Sequence, residues 1–268
     1  MPLTPAVREG KIMDNLPPAL LAIFAVLAGA AFGSFIGAAL VRLPADRSIL
    51  TGRSACDSCA APIAARDMVP LLSWLALRGR CRACNAPIGW WQPGCELAGA
   101  AIGAAAVVFA PSGLALPAMI LGWQLLLLAV IDARHLWLPR GLVALLAASG
   151  GAALAWQCWH TGTLAPLWTG LAGGALGFAM LWSVARGYKV LRGRDGMGGG
   201  DPPLLGAIGL WIGPMGVIGT VIGASLLGLA AALVMLLARR PVASDTALPL
   251  GSLMAAAAWV IFLVAGHG

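Results

Sequence analysis

Charge is what this sequence has least of. Asp, Glu, Lys and Arg together make 10% of its 268 residues, against 60% hydrophobic residues and a mean hydropathy of +0.90. A soluble globular domain carries about 25% charged residues, so that class is excluded and the chain reads as an integral membrane protein. Acids are scarcer still, ten against seventeen Lys and Arg. Whole stretches have no basic residue at all: the segments near 112–117, 160–165 and 214–216 lack both Lys and Arg. The glycine-rich run "RDGMGGGDPPLL" (Arg194 to Leu205) lacks the Lys-Ser/Thr of a Walker loop and the preceding strand of a dinucleotide fingerprint. A nucleotide-binding role for it is excluded on those grounds.

What is present is a set of apolar runs. They lie at about 19–41, 96–111, 115–131, 141–159, 165–185, 203–215, 216–238 and 247–265. Crossing about 30 Å of hydrocarbon takes roughly 17 to 25 apolar residues. The pattern predicts an all-α polytopic membrane protein of about eight transmembrane helices, the sixth of them short. The run "GLAGGALG" (Gly170 to Gly177) reads as helix-packing surface, because small side chains let membrane helices approach closely. Fifteen of the basic residues fall in four segments: Arg42 to Arg82, Arg134 to Arg140, Arg186 to Arg194, and Arg239 with Arg240. The positive-inside bias makes these segments cytoplasmic and puts both termini outside. The net charge of +7 follows from that topology, not from nucleic-acid binding. The first run is too long for a cleaved signal and is followed by seven arginines, so it reads as a retained helix. The chain thus divides into a periplasmic segment (1–18), helix 1 (19–41), a cytoplasmic four-cysteine domain (42–95) and a bundle of helices 2 to 8 (96–265).

The insert between helices 1 and 2 holds "CDSC" (Cys56, Cys59) and "CRAC" (Cys81, Cys84), two pairs separated by 21 residues. Two such turns complete a tetrahedral four-thiolate site, and a reducing cytoplasm favours metal over disulfide. Zinc is the expected cofactor, with a redox pair or two unrelated thiol pairs as the alternatives. A site closed by four thiolates holds the insert folded. Cys95 and Cys158 lie at or within spans and read as packing residues.

Two acids stand where hydrocarbon begins. Asp132 ends the run "LLLLAVI" and Asp201 opens the short sixth span, 69 positions later, at the same predicted face. A carboxylate there is costly unless hydrated or paired, which makes it a functional candidate. Two acids in one site split their titration, so one takes a proton from water while the other donates to a scissile carbonyl. That is aspartic peptidase chemistry. The glycines Gly196, Gly198 and Gly200 would let a substrate backbone come close, since no Cβ obstructs it. The plainer alternative, acids solvating loop ends beside Arg134 and Arg194, suits Asp195.

Together these features resemble the bacterial type IV prepilin peptidases, membrane aspartic proteases of the GxGD type. The resemblance rests on "GSFIGAALVRLP" (Gly33 to Pro44), both CxxC pairs, "SWLALRGRCRAC" (Ser73 to Cys84), "IDARHLWLP" (Ile131 to Pro139), "GMGGGDPPLLGAIGLWIG" (Gly196 to Gly213) and "GSLMAAAAW" (Gly251 to Trp259). It implies Asp132 and Asp201 as catalytic acids and prepilins or type II secretion pseudopilins as substrates. It also implies N-methylation of the cut product with S-adenosylmethionine, in the bacterial inner membrane with the active site facing the cytoplasm. Glu96, in "PGCELAG", matches a family glutamate at the end of the insert, or it stabilises the start of helix 2 through the helix dipole. Membrane lipid is a further expected partner, nucleic acid is not, and a homodimer is open. Several positions depart from the family pattern: Gly37 and Met68 each stand for Asn, Arg140 for an acid, Pro203 for Lys and Ser252 for Pro. The competing classes are a proton-coupled transporter, disfavoured by the lack of an internal repeat, and a catalytically divergent assembly protein.

Overall fold

Each apolar run becomes a helix, because backbone polar groups in hydrocarbon must be satisfied within the segment. The computed structural model describes residues 17–49, 51, 53–111, 113–194, 196–238 and 248–265. All but the last two residues of the expected periplasmic segment, together with Asp195, Arg239 and Arg240, lie outside these. The helices are α1 (Pro18–Arg42), α2 (Leu72–Ala76), α3 (Trp91–Phe109), α4 (Ala115–His135), α5 (Arg140–Thr161), α6 (Ala165–Arg192), α7 (Asp201–Leu237) and α8 (Leu250–Ala265). All except α2 and α8 are long and apolar enough to cross a membrane, and α8 is a shorter apolar helix. Prolines at the starts of α1, α6 and α7 stand where a helix needs no N–H donor.

Helix α7 contains both the sixth and the seventh expected spans. Unbroken, its 37 residues would run about 55 Å, far beyond a bilayer core. Gly213, at φ 66° and ψ −178°, breaks it, and Pro214 follows. Before the break, Trp211 packs edge-on against Phe262 near the far end of α8, at 6.2 Å between ring centroids. After it, Gly219 faces Ile261, Gly223 faces Ala257 and Gly228 faces Leu253. The chain therefore climbs in limb 201–212 and descends along α8 in limb 214–237. The loop expected at 214–216 is a sharp break at Gly213, a conformation that glycine adopts without a Cβ clash.

The glycine pattern is packing surface, as expected. Gly173 and Gly209 meet backbone to backbone between α6 and the climbing limb, and Gly177 meets Leu205 in the same way. Gly29 with Gly99, and Gly103 with Ala25, do the same for α1 and α3. Two indole N–H groups donate across helices, Trp123 to the Gly99 carbonyl at 3.1 Å and Trp211 to the Leu146 carbonyl at 3.1 Å. At the centre, Leu121, Leu125, Leu128, Leu204, Leu205, Ile208 and Met254 are buried between α4, α7 and α8.

One boundary is corrected. The second spanning helix begins at Trp91, so the insert ends five residues earlier than expected and Glu96 lies inside α3. The run "GWWQP" is apolar enough, and Pro93 sits early enough in the helix, for the coil to start there.

Candidate active site and cysteine cluster

Asp132 and Asp201 are 5% and 6% exposed, on the last turns of α4 and the first residue of α7. Each meets a helix N-terminus, where unpaired N–H groups and the positive end of the dipole favour an acid. The Asp201 N–H itself donates to the Gly198 carbonyl at 3.2 Å. Asp132 Oδ2 accepts the Ser252 N–H at 2.8 Å, in the first turn of α8, and lies 3.1 Å from the Ser252 hydroxyl. Leu138 packs beside the glycine that precedes Asp201 and the glycine that faces Asp132: a Cβ at Gly200 would come within 2.7 Å of Leu138 Cβ, and one at Gly251 within 3.1 Å of Leu138 Cδ1 and 2.9 Å of Asp132 Oδ2. The fold-back of α7 and the return of α8 thus bring residues 132, 201 and 252 to one end of the bundle.

The glycine run serves the protein's own packing more than expected. A Cβ at Gly196 would enter the Tyr188 ring, one at Gly200 would strike Leu138, and one at Gly198 would lie 3.1 Å from Asp201 Oδ2. Of the four glycines in the run, Gly199 alone faces open space.

Glu96 is 4% exposed and both its oxygens are engaged. Oε2 accepts the Leu71 N–H of the insert at 2.7 Å, and Oε1 accepts the Gln92 amide at 3.0 Å. Gln92 Nε2 also donates to Ser34 Oγ at 3.1 Å, on α1. The Gln92 carbonyl fills the space a side chain at Gly37 would take. The amide missing at position 37 is replaced through space by one from α3. Sequence reasoning missed Gln92, although its spacing of four from Glu96 on one helix face was a readable signal.

In the insert, the Sγ atoms of Cys56, Cys59, Cys81 and Cys84 all lie within 4.8 Å of one another, and Cys56 Sγ is 3.9 Å from Cys84 Sγ. Zinc–sulfur bonds of about 2.3 Å in a tetrahedron require sulfurs about 3.8 Å apart, so the cluster fits the metal. Each pair sits on the same turn. Ala60 N–H returns to the Cys56 carbonyl at 2.9 Å and Asn85 N–H to the Cys81 carbonyl at 3.0 Å, both with positive φ. Backbone N–H groups of Cys59 and Ser58 pull the Cys56 thiol down to about 6. Asp67 and Arg82 clamp the two halves of the insert through paired bonds of 2.7 and 2.9 Å, and the guanidinium holds the Asp67 carboxyl below its ordinary value. Cys95 is buried against α1 and α4, as a packing residue should be.

These features define a multi-pass helical membrane protein with paired buried carboxylates at one end of its bundle and a four-thiol insert joined to that bundle through Glu96. The chain belongs to the type IV leader peptidase family. Residues 27–110 match the bacterial peptidase A24 N-terminal domain, and residues 119–233 match the type IV leader peptidase family. Curated relatives carry the name prepilin leader peptidase/N-methyltransferase. That of Burkholderia pseudomallei is 36% identical over 245 residues, 82% of this chain and 78% of the relative. That of Klebsiella pneumoniae is 39% identical over 203 residues, 73% and 87%. That of Pseudomonas aeruginosa is 33% identical over 270 residues, 92% and 91%. No solved structure matches the chain.

Proposed function

We propose that this protein is a membrane aspartic endopeptidase that removes the leader from type IV prepilins or type II secretion pseudopilins, with Asp132 and Asp201 as its catalytic acids. The observation that carries this reading is that two buried carboxylates, 69 positions apart in sequence, lie at one end of the bundle, each at a helix N-terminus. One carboxylate takes a proton from water as its oxygen bonds to the scissile carbonyl carbon, and the other donates a proton to the carbonyl oxygen. Collapse of the tetrahedral intermediate breaks the C–N bond: the proton taken from water passes to the departing amine, and one hydroxyl proton of the intermediate returns to the carboxylate that had donated. Water and the peptide are the only reactants. The basic segments support an inner-membrane topology with this site facing the cytoplasm.

Within that reading, residues 91–265 form the peptidase bundle and the insert is a structural domain. Cys56, Cys59, Cys81 and Cys84 would hold zinc, which when bound supplies a cross-link between the two halves of the insert. N-methylation of the new amino terminus is the second proposed activity, resting on the relatives' shared name. Glu96 does not fit as a free ligand for S-adenosylmethionine, because both its oxygens are already bonded within the protein. The adjacent groove, lined by Trp90, Trp91, Cys95, Leu126 and Val130, offers no carboxylate to a ribose. We therefore assign Glu96 as the anchor of the insert and assign no residue to that cofactor. Arg78 and Arg80, outside the bundle, suit contact with anionic lipid headgroups.

The test is the intact mass of a prepilin or pseudopilin co-expressed with this chain, beside Asp201→Ala. A product lacking its leader, absent with Asp201→Ala, is the expected result, and one added methyl group reports the second activity. Uncut substrate across several pilin types would overturn the peptidase reading.

A further inference from the structure

We propose that Ser252 is a positioning residue that holds Asp132 in both of its protonation states, its hydroxyl turning between Asp132 and the Ala129 carbonyl. The inference rests on the reading of Asp132 as a catalytic acid. Ser252 is the third residue of α8, where an N–H has no acceptor inside the helix. That N–H goes to Asp132 Oδ2 at 2.8 Å. The Ser252 Oγ lies 2.7 Å from the Ala129 carbonyl oxygen and 3.1 Å from the same Oδ2. A hydroxyl has one proton to give and two lone pairs to receive with, whereas a backbone carbonyl only accepts.

Two arrangements satisfy this triangle. With Asp132 ionised, the serine proton points to Oδ2, which then holds two donors. With Asp132 carrying a proton on Oδ2, that proton points to Oγ, and the serine proton turns to the Ala129 carbonyl. Only hydroxyl and carboxyl protons rotate, and every heavy atom keeps its place. A peptidase dyad needs this property, because each of its carboxyls gains and loses a proton in every turnover. Both Ser252 contacts fall on Oδ2, so neither arrangement uses Asp132 Oδ1. Proline, usual here in the motif this chain resembles, has neither N–H nor O–H, so the device belongs to this chain and not to that pattern. The cost of removing it falls on the chemical step, not on substrate binding, since Ser252 reaches the substrate only through Asp132.

The experiment compares Ser252→Ala, Ser252→Thr and Asp132→Asn in the full-length protein, purified in detergent. Kinetics use a peptide spanning a leader junction, and infrared spectra follow the protonated carboxyl stretch of Asp132, identified by its loss in Asp132→Asn. The expected result is a kcat lower by about tenfold in Ser252→Ala with KM within about twofold, largely restored in Ser252→Thr. The carboxyl band shifts in the alanine variant and returns in the threonine variant. Unchanged kcat, a matching rise in KM, failure of threonine to restore, or an unmoved band would each overturn the proposal. Wild-type cleavage by Asp132→Asn would instead sink the reading of Asp132 as a catalytic acid, and the band shift would still report the hydrogen bond on its own.

Discussion

A buried carboxylate survives only where something compensates its lost hydration, and at both Asp132 and Asp201 that something is a helix N-terminus. Replacing either acid by asparagine keeps size and shape, so cleavage should fall by at least about 10²-fold with helix content unchanged in circular dichroism. Gly251→Ala tests the same site without touching an acid. Its Cβ would stand 2.9 Å from Asp132 Oδ2, so the carboxylate must shift; cleavage is expected to drop while the melting temperature stays near wild type. The two acids were legible in the sequence because charge is so rare there that a carboxylate at the edge of an apolar run stands out. Ser252 was not legible as a partner of Asp132, nor Gln92 as a partner of Ser34. Small polar residues are common, and theirs lie 120 and 58 positions away, at contacts that only the packed bundle creates.

Among the elements, the insert is the one that a metal on its four thiols would hold together, as proposed above. Removing the metal with a chelator should free the segment 54–88 to rapid hydrogen exchange while the helices stay protected, as mass spectrometry would show. The contact between α1 and α3 makes a different prediction. Gly37→Asn alone collides with Gln92 and should destabilise the protein, and pairing it with Gln92→Ala should recover most of the loss in melting temperature. Spacing alone made the four-cysteine cluster readable, since two tight turns are local structure. The start of α3 was misplaced because Trp90 and Trp91 are amphipathic and suit a loop or a membrane edge equally.

For the whole molecule, the alternation of basic and uncharged connections carried the topology, and the fold-back at Gly213 satisfies it within a single named helix. A reporter fused after Thr163 should be active outside the membrane, and one fused after Arg194 active in the cytoplasm; the reverse pattern would turn the active site outward. Gly213 and Pro214 marked a break in the sequence, but its direction came only from the contacts of limb 214–237 with α8. The apolar block above the two acids, formed by Leu121, Leu125, Leu128, Leu204, Leu205, Ile208 and Met254, has a consequence for the cell. A hydrolase in a membrane must be wet at its reacting end, yet a continuous wet path would short-circuit the ion gradients that the membrane maintains. Here that block, with the glycine contact of Gly173 and Gly209 beyond it, works as insulation, so the enzyme can draw water from one side without becoming a leak for protons.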